Sequence, residues 1–106
     1  MADTAKRLSG PTLLTAAAAT QYTVPASTTA ILRNIHVSNE TATAATFTMS
    51  IGTDAAGKRL FTAYTVAAND VIDWSGFIVL AAAEIIQAFS GTASALTLTV
   101  SGVEVA

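Results

Sequence analysis

A chain of 106 residues fits one domain and can bury one core, and the lack of cysteine excludes a disulfide framework and a thiolate metal site. The formal net charge is −2, and the five basic residues (Lys6, Arg7, Arg33, Lys58 and Arg59) form no run longer than two. That excludes the clustered Lys and Arg of a nucleic-acid footprint, and no apolar run approaches the roughly 20 residues of a membrane helix, so neither nucleic acid nor membrane is expected as a partner.

Residues 1–20 show no sustained alternation. They carry Lys6 and Arg7, a break at Gly10 and Pro11, then Leu13, Leu14 and an alanine run at 16–19. In outline this imitates a signal peptide, but the Gly-Pro pair and the interleaved threonines spoil the apolar region. The expectation is an extended N-terminal arm that reaches over the domain or onto a neighbour, with residues 21–106 as the folded domain.

From residue 21 onward period-2 alternation recurs. Tyr22-Thr23-Val24 is a short strand stopped by Pro25. In residues 31–38 the odd positions Ile31, Ile35 and Val37 are expected inward, with Asn34, His36 and Ser38 on the other face. Residues 46–51 alternate more cleanly, with Phe47, Met49 and Ile51 inward and hydroxyls outward. The loop 52–57 carries turn chemistry. Residues 60–66, 71–72, 77–80 and 84–89 are more continuously apolar strands, bounded by Asn69-Asp70, Ser75-Gly76 and Ser90-Gly91. The alanine runs at 16–19 and 81–83 are too short for stable helix and read as loops or turns. Leu96, Leu98 and Val100 share one parity and Val103 and Val105 the other, which predicts a bulge at Ser101 and Gly102. About eight short strands with no βαβ rhythm predict an all-β, single antiparallel β-sandwich, jelly-roll-like, ahead of a seven-stranded immunoglobulin-like one.

Hydrophobic residues make up 52% of the chain and charged residues only 11%, against about 25% charged in an ordinary soluble domain. A β protein that covers itself in Thr, Ser and Ala has little electrostatic protection against association, so the chain is expected to sit in an assembly.

No constellation of catalytic residues emerges. His36 is the single histidine, and a metal site needs several converging ligands. Ser38, His36 and Asp54 lack a nucleophile elbow. Asp70, Asp73, Glu84 and Glu104 read as solvated strand-end carboxylates rather than a glycosidase pair. Residues 52–58 resemble a phosphate loop only faintly, because Arg59, Leu60 and Phe61 continue as strand. No cofactor and no enzymatic activity are expected. Trp74 reads equally as a core plug and as an interface anchor.

The stretch Tyr22-Thr23-Val24-Pro25-Ala26-Ser27-Thr28-Thr29-Ala30-Ile31-Leu32-Arg33-Asn34-Ile35-His36-Val37-Ser38-Asn39 resembles small virion proteins of tailed bacteriophages. So do Val66-Ala67-Ala68-Asn69-Asp70, Gly76-Phe77-Ile78-Val79-Leu80 and Glu84-Ile85-Ile86-Gln87-Ala88. The likeness spans residues 20–103 and lies in strand and turn order. It implies a β-sandwich in the capsid decoration layer, a head fibre or a tail tip, located in the virion. It also implies self-association, often as a trimer, and contact with the major capsid protein or another virion protein. It transfers no catalytic residue. The alternative is a tail-tip, fibre or carbohydrate-binding module, which needs aromatic side chains around a groove. The residues expected at interfaces are Lys6, Arg7, Leu13 and Leu14 of the arm, Thr46, Thr48, Thr97 and Thr99 of the strand faces, and Trp74.

Overall fold

A computed structural model describes residues 3–106. The chain forms eight strands: β1 (Asp3–Leu13), β2 (Ala19–Thr23), β3 (Thr29–Asn39), β4 (Ala45–Ile51), β5 (Arg59–Val66), β6 (Val71–Leu80), β7 (Ile85–Ser90) and β8 (Leu96–Val105). They build two four-stranded antiparallel sheets, ordered β1-β8-β3-β6 and β2-β7-β4-β5. Both orders follow from one rule. The chain runs as a long hairpin bent at the β4–β5 turn, so that β4 pairs β5, β3 pairs β6, β2 pairs β7 and β1 pairs β8. Winding that hairpin adds the β3–β8 and β4–β7 ladders and produces a jelly-roll sandwich. The strands are rich in Thr, Val, Ile and aromatic residues, which suit a pleated, half-buried surface.

The inner faces of the two sheets supply the core. Phe47, Leu14, Leu32, Ile35, Met49, Leu80, Ile86, Leu96 and Leu98 are its largest fully buried side chains. Phe47 tilts against Phe61 at 5.3 Å between ring centroids, and Phe61 meets the edge of Tyr64 at 6.1 Å, a geometry that the ring quadrupoles favour.

Four expectations need correction. From Asp3 onward, the expected N-terminal arm is part of the folded domain. Asp3–Leu13 is the edge strand β1, laddered on β8 from Asp3 opposite Val105 to Leu13 opposite Thr97. Gly10 and Pro11 lie inside this strand and mark one of its two bulges, which is why alternation there is hard to see.

The second correction is the place of the register slip. β8 does not change phase: Leu96, Leu98, Val100 and Gly102 all face inward. Both ladders of β3 shift between Leu32 and Asn34: against β8 the extra residue is Arg33 of β3, and against β6 it is on β6, where Gly76 and Phe77 oppose Arg33. The bulge lets Leu32 and Ile35 both point inward and turns Arg33 to solvent. Third, it follows that Ile31 faces outward, not into the core. Gly102 is required on the inner face for a different reason: a Cβ there would lie 2.0 Å from the Ile31 carbonyl oxygen.

Fourth, the hydroxyls of β4 are not free. Thr48 and Ser50 point away from the core yet are buried. Thr48 Oγ1 accepts a hydrogen bond of 3.0 Å from the Ala63 N–H of a bulge in β5, and Ser50 Oγ donates to the Gly52 carbonyl at 3.0 Å.

Candidate interaction surface

The outer face of the β1-β8-β3-β6 sheet divides into a polar half and an apolar half, and the cross-strand register fixes the division. At one end, Thr97 on β8 lies beside Ser38 on β3 and Val71 on β6. The next outward row is Thr99, His36 and Asp73, and then Ser101, Asn34 and Ser75. In this half the Asn34 amide donates to Asp73 Oδ1 at 3.0 Å, and His36 Nδ1 lies 3.2 Å from Asp73 Oδ2. The Asn34 hydrogen bond first, and His36 second, hold the Asp73 carboxyl below its ordinary value.

Beyond the β3 bulge the face turns apolar. Val79 on β6, Ile31 on β3 and Val103 on β8 form one row, with Ala5 of β1 next to Val103. Phe77 is 64% exposed and Val79 53% exposed. The Arg33 guanidinium ejected by the bulge sits 6.0 Å from the Phe77 ring centroid, within cation–π range. Arg33 has no carboxylate partner among the described residues. Scattered exposed apolar side chains are ordinary on a monomer, but a contiguous row across a sheet marks a contact surface.

The edges add to this. β1 and β6 border the first sheet, and β2 and β5 border the second. β2 is only five residues long, β5 carries two register shifts, and β1 has two bulges with Lys6 and Arg7 beside them. Each of these is a known protection against edge pairing. β6 keeps unbroken alternation over ten residues and carries one charge, Asp73. It too is interrupted on its ladder with β3, where Gly76 and Phe77 together oppose Arg33.

The residues expected at interfaces scatter. Thr97 and Thr99 lie half-buried on this outer face, and Leu13, 55% exposed, joins it beside Thr97. Arg7 faces outward on β1 beside Ser101. Thr46 is half-buried on the outer face of the other sheet. Leu14 and Thr48 are buried and offer no surface: Leu14 plugs the core where the chain leaves β1, and Thr48 is spent on the β5 bulge. Trp74 is on the inner face of β6, packed against the core, and its ring lies across Gly76, where a Cβ would come within 2.5 Å of Cζ2. It is a plug of the core and not an exposed anchor.

Lys6 belongs to a separate cluster at one end of the sandwich. Its Nζ lies 3.2 Å from Glu104 Oε1, and the Tyr22 hydroxyl donates to Glu104 Oε2. The cluster ties β1 and β8 of one sheet to β2 of the other. Burial first, and the neighbouring carboxylate second, push the Tyr22 phenol up. The Tyr22 hydrogen bond holds Glu104 below the usual carboxylate range, with Lys6 adding to it.

A cleft of about 190 Å³ between the β3–β4 and β7–β8 loops is lined by Thr41, Thr43, Thr92, Ser94 and alanines. It holds no titratable group. Among the described residues, no three His, Cys, Asp or Glu side chains converge as metal ligands. His36 meets one carboxylate, Asp73, on an open sheet face and not in a pocket. Sequence reasoning missed Phe77 and Val79 as surface residues, although the signal was present: residues 77–80 are apolar on both parities, which a strand with one solvated face does not need. In comparison with known proteins, no family model, curated protein or solved structure matches this chain.

Proposed function

We propose that the protein is a non-enzymatic structural component of a tailed-phage virion, a capsid decoration protein that acts as a homo-oligomer and binds the shell. The supporting observation is the apolar row Val79, Ile31, Val103 on an exposed sheet face bordered by the edge strand β6. Jelly rolls serve in capsids and in lectins alike, so the fold does not choose between them. The surface favours the first: its exposed groups are apolar and threonine-rich, with few charges, as suits a permanent contact. A cement protein needs repeated contact area and not chemistry, because binding only the assembled shell stabilises it by mass action. Stiff β-branched threonines such as Thr97 and Thr99 lose little entropy when they are covered.

Gold-labelled antibody against the chain, imaged on tailed particles, tests the reading. Label distributed over the head is expected. Label at the tail tip moves the protein to the fibre or receptor-binding role, and particles without label remove it from the virion.

A further inference from the structure

We propose that residues 3–7 are a releasable strap: this half of β1 swings off β8 by itself, hinged at the bulge of Leu8 and latched by the Lys6–Glu104 ion pair. Protonation of Glu104 opens the latch. The proposal goes beyond the capsid role and does not depend on it.

The two halves of β1 are held by different means. Residues 3–7 are all exposed, whereas Leu8 belongs to the core. The register shows a joint between the halves: Arg7 lies opposite Ser101 and Ser9 opposite Val100, so Leu8 is an extra residue on β1. A bulge leaves its extra residue out of the ladder and bends the strand, which gives the segment a place to turn. Leu8 itself stays anchored on the inner face, where a Cβ at Gly102 would come within 3.1 Å of its Cδ1. At the far end, Leu14 is buried and donates its N–H to the Leu96 carbonyl at 2.8 Å. The hinge therefore has a fixed side and a loose side.

With no buried side chain, residues 3–7 rest on their ladder with β8 and on one side-chain hydrogen bond among the described residues, Lys6 Nζ to Glu104 Oε1 at 3.2 Å. The net gain of a backbone hydrogen bond is close to the entropy lost in ordering the residue that makes it, so one ion pair tips the balance. The Glu104 side chain is only 15% exposed, and its other oxygen accepts from Tyr22. The groups around it offer Lys6 no second anion. β1 presents Thr4 and Lys6, β2 presents Tyr22, and β3 presents the uncharged Ala30. Glu84, after β6, is turned to the Ala81 N–H, and Asp3 and Arg7 alternate onto the outer face. A protonated Glu104 still accepts from Tyr22 but no longer attracts the Lys6 ammonium. The strap then opens while the two sheets stay joined. With the strap off, β8 becomes the edge of its sheet over residues 101–105, without the bulge and the inward-pointing lysine that guard β1.

Native-state hydrogen exchange, corrected for the intrinsic rate at each pH, reads the strap residue by residue. At neutral pH, Glu104→Gln is expected to lower the protection of the ladder amides in residues 3–7 about fivefold, the scale of one such ion pair, with residues 9–13 unchanged. Lys6→Met is expected to give the same loss, and the double variant no more than either alone, because both remove one interaction. Tyr22→Phe leaves the pair in place and should keep the strap's protection. As pH falls through the folded value of Glu104, which lies below its ordinary one, strap protection should fall in the native chain and stay level in Glu104→Gln, while residues 9–13 hold in both. Loss of protection over all of β1 as one unit, unchanged protection in either single variant, additive losses in the double variant, a loss in Tyr22→Phe equal to that in Glu104→Gln, or an acid-dependent fall that persists in Glu104→Gln would overturn the proposal. Particles without capsid label would leave it standing.

Discussion

Asn39 shows how a single polar side chain is made to belong in this core. It is 2% exposed, and all of its capacity is used. Its amide donates to the carbonyls of Thr43 at 3.0 Å and Val66 at 3.1 Å, while its Oδ1 accepts from the Thr41 N–H and hydroxyl. The side chain thus closes the β3–β4 turn and fastens it to the end of β5. Replacing it takes a donor from the buried Val66 carbonyl and unties the turn, which costs more than the hydrogen bonds contribute net. Asn39→Ala is expected to lower stability by about 2–3 kcal/mol, read from the urea midpoint at unchanged slope. Nothing in the sequence distinguishes Asn39 from Asn34 five positions earlier, which lies on the outer face and binds Asp73. Burial depends on the turn that follows, and its partners lie 4 and 27 residues away.

Among the elements, the strands were legible because period-2 alternation survives in a chain with no competing helical period. β4 reads correctly on its inner face, and β8 does so from Leu96 to Val100. The bulge did not. The sequence shows a change of parity after Val100, and the natural inference places the slip there. That inference assumes that apolar means inward. Here Val103, Ile31, Phe77 and Val79 are apolar and outward, so the apparent slip in β8 is the signature of the apolar outer face and not of a bulge. The true bulge in β3 is revealed by Arg33, a charge where alternation demands a core residue. β1 was illegible for a related reason: two bulges erase its period, and only its partner β8 defines it. Gly102 gives the element-scale test. Gly102→Ala drives a methyl into the backbone of Ile31, and no side-chain rotation relieves it. It should destabilise by about 3 kcal/mol, and in a spectrum of labelled amides the shifts should concentrate at the β3–β8 ladder around Leu32 and Asn34.

The whole molecule is held partly by what joins its two sheets outside the core. The Lys6, Tyr22 and Glu104 cluster does this at one end. Because its hydrogen bonds hold the Glu104 carboxyl below its ordinary value of 4.5, the folded protein takes up this proton less readily than the unfolded chain. The contribution is therefore present above about pH 4.5 and is lost as pH falls through the folded value. Asp54, bonded to Arg59 through both of its oxygens, and Asp73 act in the same direction. Thermal melts should show stability falling on the acid side. Glu104→Gln should melt lower at neutral pH and decline less steeply with acid. Equal slopes in the two proteins would mean that the cluster does not couple the sheets.

The bent-hairpin path also sets the order in which the molecule can be completed. β8 lies between β1 and β3, so the first sheet has no centre until the ribosome has delivered residue 105. Lys6 waits for Glu104 across 98 positions. Until then β1 has no partner and β3 is open on one side, in a chain with only 11% charged residues to discourage contact with its neighbours. Such long-range pairings form slowly and leave strand edges exposed while they do. A nascent chain of this kind is most hazardous to itself in the interval before β8 arrives. The insertion of that one strand both closes the sheet and withdraws the edges at which sister chains could pair wrongly.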